Sequence, residues 1–284
     1  MTEQAEQQVS GYMHRQLNVV ASTTPIAAAA EMMRRDTLGS VLVESLGREK
    51  REPAIIGIVT ETDLVRKVVA QGRDAARTTA GEVMASPLIT IAPDRPMLEA
   101  SHVMEKHRIR HLAVSNGKEI LGLISVRDLV RHFVETDQGP VQALNDVYRP
   151  LGVLMQQKIE TIGGDESVAA AARRMLEKQI GSLVVREADE LVGIVTEADI
   201  VRKTVAYHLD ARTTRVGSIM NSPIVDIDIN RTVRDASDFM TKKRIRHLAV
   251  TDNGKTVGII SVRDLVKMVS VRDRPQFLRR SEDH

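Results

Sequence analysis

One ten-residue stretch, present in four copies, constrains this chain more than any other feature. The copies are Gly57–Arg66, Gly122–Arg131, Gly193–Arg202 and Gly258–Lys267. Each begins with Gly and two aliphatic residues, continues with Thr or Ser, and has an Asp three positions later. The pattern predicts a short apolar strand that ends at the hydroxyl residue and is followed by an amphipathic helix. Four copies of one motif indicate a protein built from repeats.

The spacing of the motif aspartates predicts a tandem duplication. Asp63 and Asp128 lie 65 residues apart, and 136 residues separate both Asp63 from Asp199 and Asp128 from Asp264. Each half of the chain therefore contains two related repeats. The first half carries six additional residues in the loop at 44–53, a kind of insertion that surface loops tolerate at a small free-energy cost.

Each repeat is expected to run strand, helix, strand, strand, helix. In the first repeat the strands are predicted at Val19–Val20, Gly39–Val43 and Ile55–Val59, with helices that start near Pro25 and Asp63. The fold class is therefore predicted to be α/β, in its α+β form. One such repeat buries little apolar surface, so neighbouring repeats are expected to pack sheet to sheet around a pseudo-twofold axis.

The expected boundaries follow from the repeats and from breaks in the pattern. The segment Thr136–Pro140 interrupts the periodicity and is predicted to end the first half. The predicted segments are a polar tail at 1–10, four repeats at 11–78, 79–143, 144–214 and 215–272, and a charged tail at 273–284.

Composition favours a packed cytoplasmic protein. The chain of 284 residues is 42% hydrophobic but only 2% aromatic, so aliphatic residues and Met must fill the core. The absence of Cys excludes disulfides and thiolate catalysis. A formal net charge of +2 gives no footprint for nucleic acid. No apolar run reaches the ~18 residues that a membrane span needs.

These four motifs in register resemble tandem cystathionine-beta-synthase (CBS) domains, which pair into two Bateman modules. The resemblance extends over residues 11–272 and implies the β-α-β-β-α repeat described above. It also implies that adenosine-containing ligands bind in the cleft of each module. The ligands expected in this family are AMP, ADP or ATP, and in some members S-adenosylmethionine.

The chemistry of the motif suits a ribose and a phosphate together. An Asp can accept charge-assisted hydrogen bonds from both ribose hydroxyls, a role expected of Asp63, Asp128, Asp199 and Asp264. The hydroxyl three positions earlier, beside the helix N-terminus, can donate to a phosphate oxygen; these residues are Thr60, Ser125, Thr196 and Ser261. The alternative is that both residues simply cap the helix, since Ser, Thr and Asp are preferred caps.

Basic residues distinguish the second and fourth repeats from the first and third. The pairs Arg110-His111 and Arg246-His247 stand where the other two repeats have Gly-Ser. In family members that carry it, this pair reaches ligand phosphates, and the resemblance implies that role here. Arg127 and Arg263, inside the motif, are further phosphate candidates, with solvated surface cations as the alternative.

The adenine is expected against the first strand of each repeat. The candidates are Val19, Val20, Thr90, Ile91, Thr161, Ile162 and Ile227, and the alternative is that the aliphatic ones belong to the core. Asp226 places a charge beside the last of these positions.

The sequence thus predicts a stand-alone regulatory protein rather than an enzyme. It is expected to bind an adenine nucleotide and to signal through a change in shape or in affinity for an effector protein, with a homodimer possible. No metal site is expected, because His spacing typical of one is missing. The alternatives are a scaffold with degenerate sites and a module that binds S-adenosylmethionine.

Overall fold

In the computed structural model, residues 8–46, 53–132, 150–188, 190–243 and 245–265 are described. Several sequence predictions fall outside these ranges: most of the N-terminal tail, the centre of the inserted loop, the break at Thr136–Pro140 and the charged C-terminal tail. None of the helices in the described part is both long enough and apolar enough to span a membrane.

The secondary structure repeats four times, as predicted. The strands are β1 Val19–Ala21, β2 Ser40–Leu46, β3 Pro53–Thr60, β4 Thr90–Ile91, β5 His111–Ser115, β6 Ile120–Ser125, β7 Thr161–Gly163, β8 Ser182–Glu187, β9 Glu190–Thr196, β10 Asp226–Asp228, β11 His247–Asp252 and β12 Lys255–Ser261. The helices are α1 Val9–Tyr12, α2 Ile26–Arg35, α3 Glu61–Asp63, α4 Ala80–Val83, α5 Met97–His107, α6 Val126–Val130, α7 Val168–Lys178, α8 Glu197–Lys203 and α9 Val233–Lys243. A π-helical turn at Leu64–Val69 continues α3, and short 3-10 turns lie at Leu151–Val153, Val205–Tyr207 and Val216–Ser218.

The strands form four three-stranded sheets with one common topology. In each sheet the first strand is parallel to the second, and the second is antiparallel to the third. The parallel pair is joined by the long helix of the repeat, as a parallel connection requires. The register shifts at the same place in every sheet, as it does after Val43 in the first and after Val114 in the second. The predicted β-α-β-β-α order is therefore confirmed.

The four repeats group by packing into two compact units. The first and third repeats form one, which we call the odd unit, comprising Gln16–Leu88 and Ile159–Val225. The second and fourth form the even unit, which comprises the described residues of Met1–Arg15, Ile89–Lys158 and Asp226–His284. This grouping joins alternate repeats rather than sequence neighbours. The sheet-to-sheet pairing of neighbouring repeats stays a prediction.

Each unit has an aliphatic core that contains few aromatic rings, as the composition predicts. In the odd unit the buried face of α2 contributes Ile26 and Met33, and the matching face of α7 contributes Val168 and Met175. The even unit buries Met97, Met104 and Met240 at helical spacing, together with strand residues such as Leu112 and Leu248. The Met residues are therefore core, as expected from their periodicity.

Candidate functional site

Every motif Asp is part of a helix-capping box. Its Oδ2 accepts hydrogen bonds from the backbone N–H and the hydroxyl of the Thr or Ser three positions earlier. The hydroxyl distances are 2.6 Å for Thr60, 2.7 Å for Ser125, 2.6 Å for Thr196 and 2.5 Å for Ser261. The hydroxyl proton is thus directed at the carboxylate, so a phosphate contact requires that hydroxyl to rotate away from its Asp.

The other carboxylate oxygen, Oδ1, has a different partner in each unit. In the odd unit it pairs with a lysine one turn later in the same helix: Asp63 with Lys67 at 2.7 Å and Asp199 with Lys203 at 3.0 Å. In the even unit it faces a side chain distant in sequence. His14 Nε2 lies 3.0 Å from Asp128 Oδ1, and Gln156 Nε2 donates to Asp264 Oδ1 at 3.0 Å.

These distant side chains belong to short segments that the sequence analysis did not identify. Each of them pairs antiparallel, through a single bridge, with the last strand of the sheet of the neighbouring repeat; the segments are Met13-His14, Met84-Ala85, Met155-Gln156 and Met220-Asn221. We call them the docking segments. Each Met precedes the buried aliphatic residue of the next strand in sequence by seven positions, as in Met13 and Val20 or Met84 and Ile91. This fixed spacing is the sequence signal from which the docking segments could have been identified.

The motif Gly is needed where a docking segment lies against the sheet. A Cβ at Gly122 would lie 2.8 Å from the His14 carbonyl oxygen and 3.0 Å from Met13 Sδ. A Cβ at Gly258 would lie 2.7 Å from Met155 Sδ. Real Cβ contacts are not this short, so any larger residue would displace the segment. The motif Gly therefore holds the docking residue close to the motif carboxylate.

The basic pairs of the even unit lie directly opposite the motif hydroxyls. His111 is the cross-strand partner of Ser125, and His247 is that of Ser261. The amide N–H of Val126 donates to the Arg110 carbonyl oxygen at 3.1 Å, which ties the basic pair to the start of α6. In the odd unit the positions opposite Thr60 and Thr196 are Ser40 and Ser182.

The two repeats of the even unit share one electropositive centre. Burial, and after it the positive charges of Arg110, Arg246 and Arg127, lower the pKa of His111 from 6.5 to about 3. Burial likewise lowers the pKa of His247 to about 3, with contributions from Arg246, Arg110 and Arg263. Each imidazole is thus affected by the charge of an arginine from the other repeat, so the basic groups of the two repeats act on one another.

Both imidazoles are neutral at physiological pH and keep a hydrogen-bonding atom buried. The Nδ1 atoms of His111 and His247 are inaccessible to solvent and have no hydrogen-bond partner among the described residues. A buried polar atom without a partner carries a free-energy penalty. A ligand that supplies the missing hydrogen bond would remove that penalty.

The odd unit has buried acidic groups in its motif, where the even unit has Val126 and Val262. Glu61 and Glu197 begin the motif helices and are almost fully buried. Arg202 lies 3.0 Å from Glu61, and Arg66 lies 3.7 Å from Glu197, so the two repeats exchange ion pairs. Thr62 also donates to Glu197 at 2.9 Å. Paired in this way, the arginines of the odd unit serve packing between repeats.

The adenine candidates all lie in the first strand of their repeat, as predicted. Val20, Ile91, Ile162 and Ile227 are buried in the cores, and Val19, Thr90 and Thr161 are more accessible. Asp226, beside Ile227, accepts a hydrogen bond from Thr251 at 3.1 Å. The aliphatic four therefore have a core role, and contact with adenine stays a prediction. Among the described residues, no cluster of acidic and His side chains could hold a metal ion.

Comparison with known proteins identifies the repeats. The family model for the CBS domain matches residues 9–70, 80–135, 151–205 and 216–271. The CBS domain-containing protein CBSX3, mitochondrial, of Arabidopsis thaliana is 34% identical over 119 residues, which are 41% of this chain and 56% of that protein. CBSCBSPB5 of the same plant is 24% identical over 279 residues, 87% of this chain and 50% of that protein. The chain thus spans about half the length of these curated relatives.

Solved structures share the four-repeat fold. Protein MJ1225 of Methanocaldococcus jannaschii, proposed to be an archaeal homologue of g-AMPK, superposes with a TM-score of 0.74 at 19% identity, covering 92% of this chain and 99% of that one. An uncharacterized conserved protein from Pyrococcus horikoshii gives a TM-score of 0.59 at 18% identity with the same coverage. At these identities the likeness concerns the fold alone.

Proposed function

The chain belongs to the CBS-domain family, with four domains in tandem, and from that premise we propose that it is a regulatory protein that binds adenine nucleotides. The ligand is AMP, ADP or ATP. Binding changes the shape of the protein or its affinity for an effector protein, since a ligand shifts an equilibrium only through its different affinities for the two states.

One observation carries this proposal: the shared electropositive centre of the even unit. Two imidazoles with depressed pKa values respond to guanidinium groups from both repeats. Burial is the main cause of the low pKa values and the arginine charges add to it, and a cluster of positive charges attracts an anion. Arginine guanidinium groups bind phosphate oxygens in bidentate fashion. The phosphate-binding residues are Arg110, His111, Arg127, Arg246, His247 and Arg263, joined by the motif hydroxyls.

The motif carboxylates of the even unit supply the ribose contacts. Asp128 and Asp264 lie in the same repeats as the basic pairs, and each caps the helix that begins opposite a His. A carboxylate accepts hydrogen bonds from a cis-diol, whereas cationic donors stabilise the negative charge of a phosphate. The two requirements are met side by side in both repeats of the even unit. The adenine would then contact the accessible side chains of the first strands.

A ligand panel tests the proposal. Thermal unfolding is measured with AMP, ADP, ATP, adenosine, S-adenosylmethionine and no ligand, because a ligand of the native state raises stability by RT ln(1 + [L]/Kd), about 2.7 kcal/mol at a hundredfold excess over Kd. A rise with the phosphorylated adenosines supports the proposal. A rise with S-adenosylmethionine alone would remove the phosphate roles, and no rise at all would favour a scaffold.

The chain offers a matched control for the phosphate role. The double variant Arg110→Gly with His111→Ser gives the second repeat the residues that the first has at 39 and 40. It keeps a pairing that the fold already accommodates. Loss of nucleotide affinity in this variant, with adenosine binding unchanged, is the expected result. Equal loss for both ligands would argue that the basic pair acts through the structure alone.

A further inference from the structure

We propose that the four motif carboxylates are of two kinds, and that only Asp128 and Asp264 bind ribose. In the even unit each is covered by an exchangeable side chain, His14 or Gln156. In the odd unit Asp63 and Asp199 are closed by Lys67 and Lys203. This inference rests on the proposed nucleotide binding and assigns it to two of the four repeats.

The side chains that cover the carboxylates of the even unit can be displaced easily, because they are exposed. His14 is 68% exposed, whereas the Asp128 side chain beneath it is 9% exposed. Gln156 is likewise an exposed residue that donates to the buried Asp264. An exposed side chain regains hydrogen bonds to water when it swings out, so its displacement costs little. A ribose hydroxyl arriving at Oδ1 replaces one donor by another.

The closures in the odd unit are tied down at a second point. Lys67 Nζ binds Asp63 Oδ1 and also donates to the Val83 carbonyl oxygen at 2.7 Å. Lys203 Nζ does the same with Asp199 and with the Ile219 carbonyl oxygen at 2.8 Å. Displacing either ammonium breaks a charge-assisted pair and a hydrogen bond to the segment that leads into the docking residue. Asp63 and Asp199 therefore stabilise the fold and are not available to a ribose.

In the third repeat two side chains, Lys203 and Asn221, cover the motif carboxylate. Asn221, the docking residue on its sheet, donates to Asp199 Oδ1 at 2.9 Å and accepts from Lys203 Nζ at 2.9 Å. The amide thus joins carboxylate and ammonium into one ring of hydrogen bonds. Ala85 is the docking residue on the sheet of the first repeat and offers no polar side chain. Among the described residues, Lys67 alone therefore closes the Asp63 Oδ1 atom.

Lysine is replaced at the corresponding position of the second repeat. Four residues after Asp128 comes His132, whose Nδ1 lies 3.0 Å from the Tyr12 hydroxyl and whose ring packs edge-on against Tyr12. This residue is thus directed away from the motif carboxylate. In the fourth repeat the sequence has Met268 four residues after Asp264. The two repeats without a lysine at this sequence position are also those with the Arg-His pair, so both features select the same unit.

Calorimetric titration with ATP and with AMP tests this assignment through matched pairs of conservative variants. Asp128→Asn with Asp264→Asn is compared with Asp63→Asn with Asp199→Asn. Asn keeps an acceptor for the capping box but removes the charge and one of the two acceptors that a cis-diol uses. We expect at least a tenfold loss of affinity in the even-unit variant and less than a twofold change in the odd-unit variant, since the loss of one charged hydrogen bond lowers affinity by roughly a factor of ten or more.

A second pair of variants keeps the inference testable if an Asn variant unfolds. Removing the covers with His14→Ala and Gln156→Ala should tighten nucleotide binding roughly two- to tenfold, the range of one net hydrogen bond. Removing the closures with Lys67→Met and Lys203→Met should raise the number of nucleotides bound per chain. An unchanged affinity in the first variant, or equal losses in both Asn variants, would overturn the inference while leaving nucleotide binding intact. A wild-type chain that binds no AMP or ATP would instead reject the proposed function and this inference with it.

Discussion

Glu61 of the first repeat lies 3.0 Å from the guanidinium group of Arg202 in the third repeat. The reciprocal pair, Arg66 and Glu197, is 3.7 Å apart. The two glutamates are 2% and 1% exposed, so the repeats of the odd unit exchange buried charges. The equivalent motif positions in the even unit are Val126 and Val262.

Removal of one partner of this crossed pair should destabilise the odd unit. Glu61→Ala leaves Arg202 without its buried carboxylate, and an unpaired buried charge costs about 3–5 kcal/mol. The double variant Glu61→Val with Arg202→Met should regain much of that loss, because an apolar pair of similar size replaces the ions. Urea unfolding of both variants measures the difference. A single variant as stable as the wild type would show that the pair contributes nothing.

Acid should destabilise the even unit through His111 and His247. Their pKa values fall to about 3 in the folded chain from 6.5, so the unfolded chain binds more protons in that range. The stability they confer is complete above about pH 6.5 and declines as the pH falls toward 3, by up to about 1.4 kcal/mol per pH unit for each His. Unfolding free energies at pH 7 and 5 test this.

The control for the acid effect uses the residues of the odd repeats. His111→Ser with His247→Ser introduces the side chains found at Ser40 and Ser182 and removes both titrating groups. His132, whose pKa burial lowers to about 4, remains and should give the variant a residual slope. If the variant lost stability between pH 7 and 5 as steeply as the wild type, the two imidazoles would not be the groups responsible.

Nucleotide binding should take up protons as the pH falls. A phosphate beside His111 and His247 favours their charged forms and raises pKa values that the arginines and burial depress. Binding should therefore tighten from pH 8 to pH 6, opposite to the trend that carboxylate protonation would produce. Calorimetry in buffers of different ionisation enthalpy counts the protons. No uptake at pH 6 would place the phosphates away from the imidazoles.

The repeats and their internal order could be predicted because hydrophobic periodicity and the motif are local properties. Val20, Ile91, Ile162 and Ile227 were placed on the correct strands, and the capping of α3 by Thr60 follows from residue preference alone. The docking segments could not be found in the same way. Two residues joined to a sheet by one bridge show no periodicity, and their identity varies from His to Ala.

The grouping of alternate repeats depends on which helix faces meet, and a single repeat does not encode it. The sequence signal for this grouping lies in the motif itself. Glu follows the hydroxyl in the first and third copies, and Val follows it in the second and fourth. Residues that pair across an interface must complement each other, so Glu61 and Glu197 require the arginines that face them. Alternation between copies was therefore a sign of alternate packing.

Displacing a docking segment should affect stability and the cover of the carboxylate together. In Gly122→Ala the added methyl group would lie 2.8 Å from the His14 carbonyl oxygen. His14 and Leu123 exchange two backbone hydrogen bonds, of 2.8 and 3.0 Å, and the segment cannot keep both and move away. Such overpacking costs about 1–3 kcal/mol. The same shift would move His14 away from Asp128 and leave Oδ1 open to a ribose hydroxyl. We therefore expect nucleotide affinity to fall less than stability does.

Gly152→Ala provides the matched control for that variant. Its new methyl group would meet only the end of the Ile229 side chain, at 3.3 Å, and a flexible side chain can yield where a backbone carbonyl cannot. We expect a change within about 0.5 kcal/mol. Thermal and urea unfolding of the two variants, followed by titration with ATP, complete the comparison. Equal stability losses at the two glycines would contradict the close approach of the docking segment, and intact stability in both would mean that the segment is not held against β6.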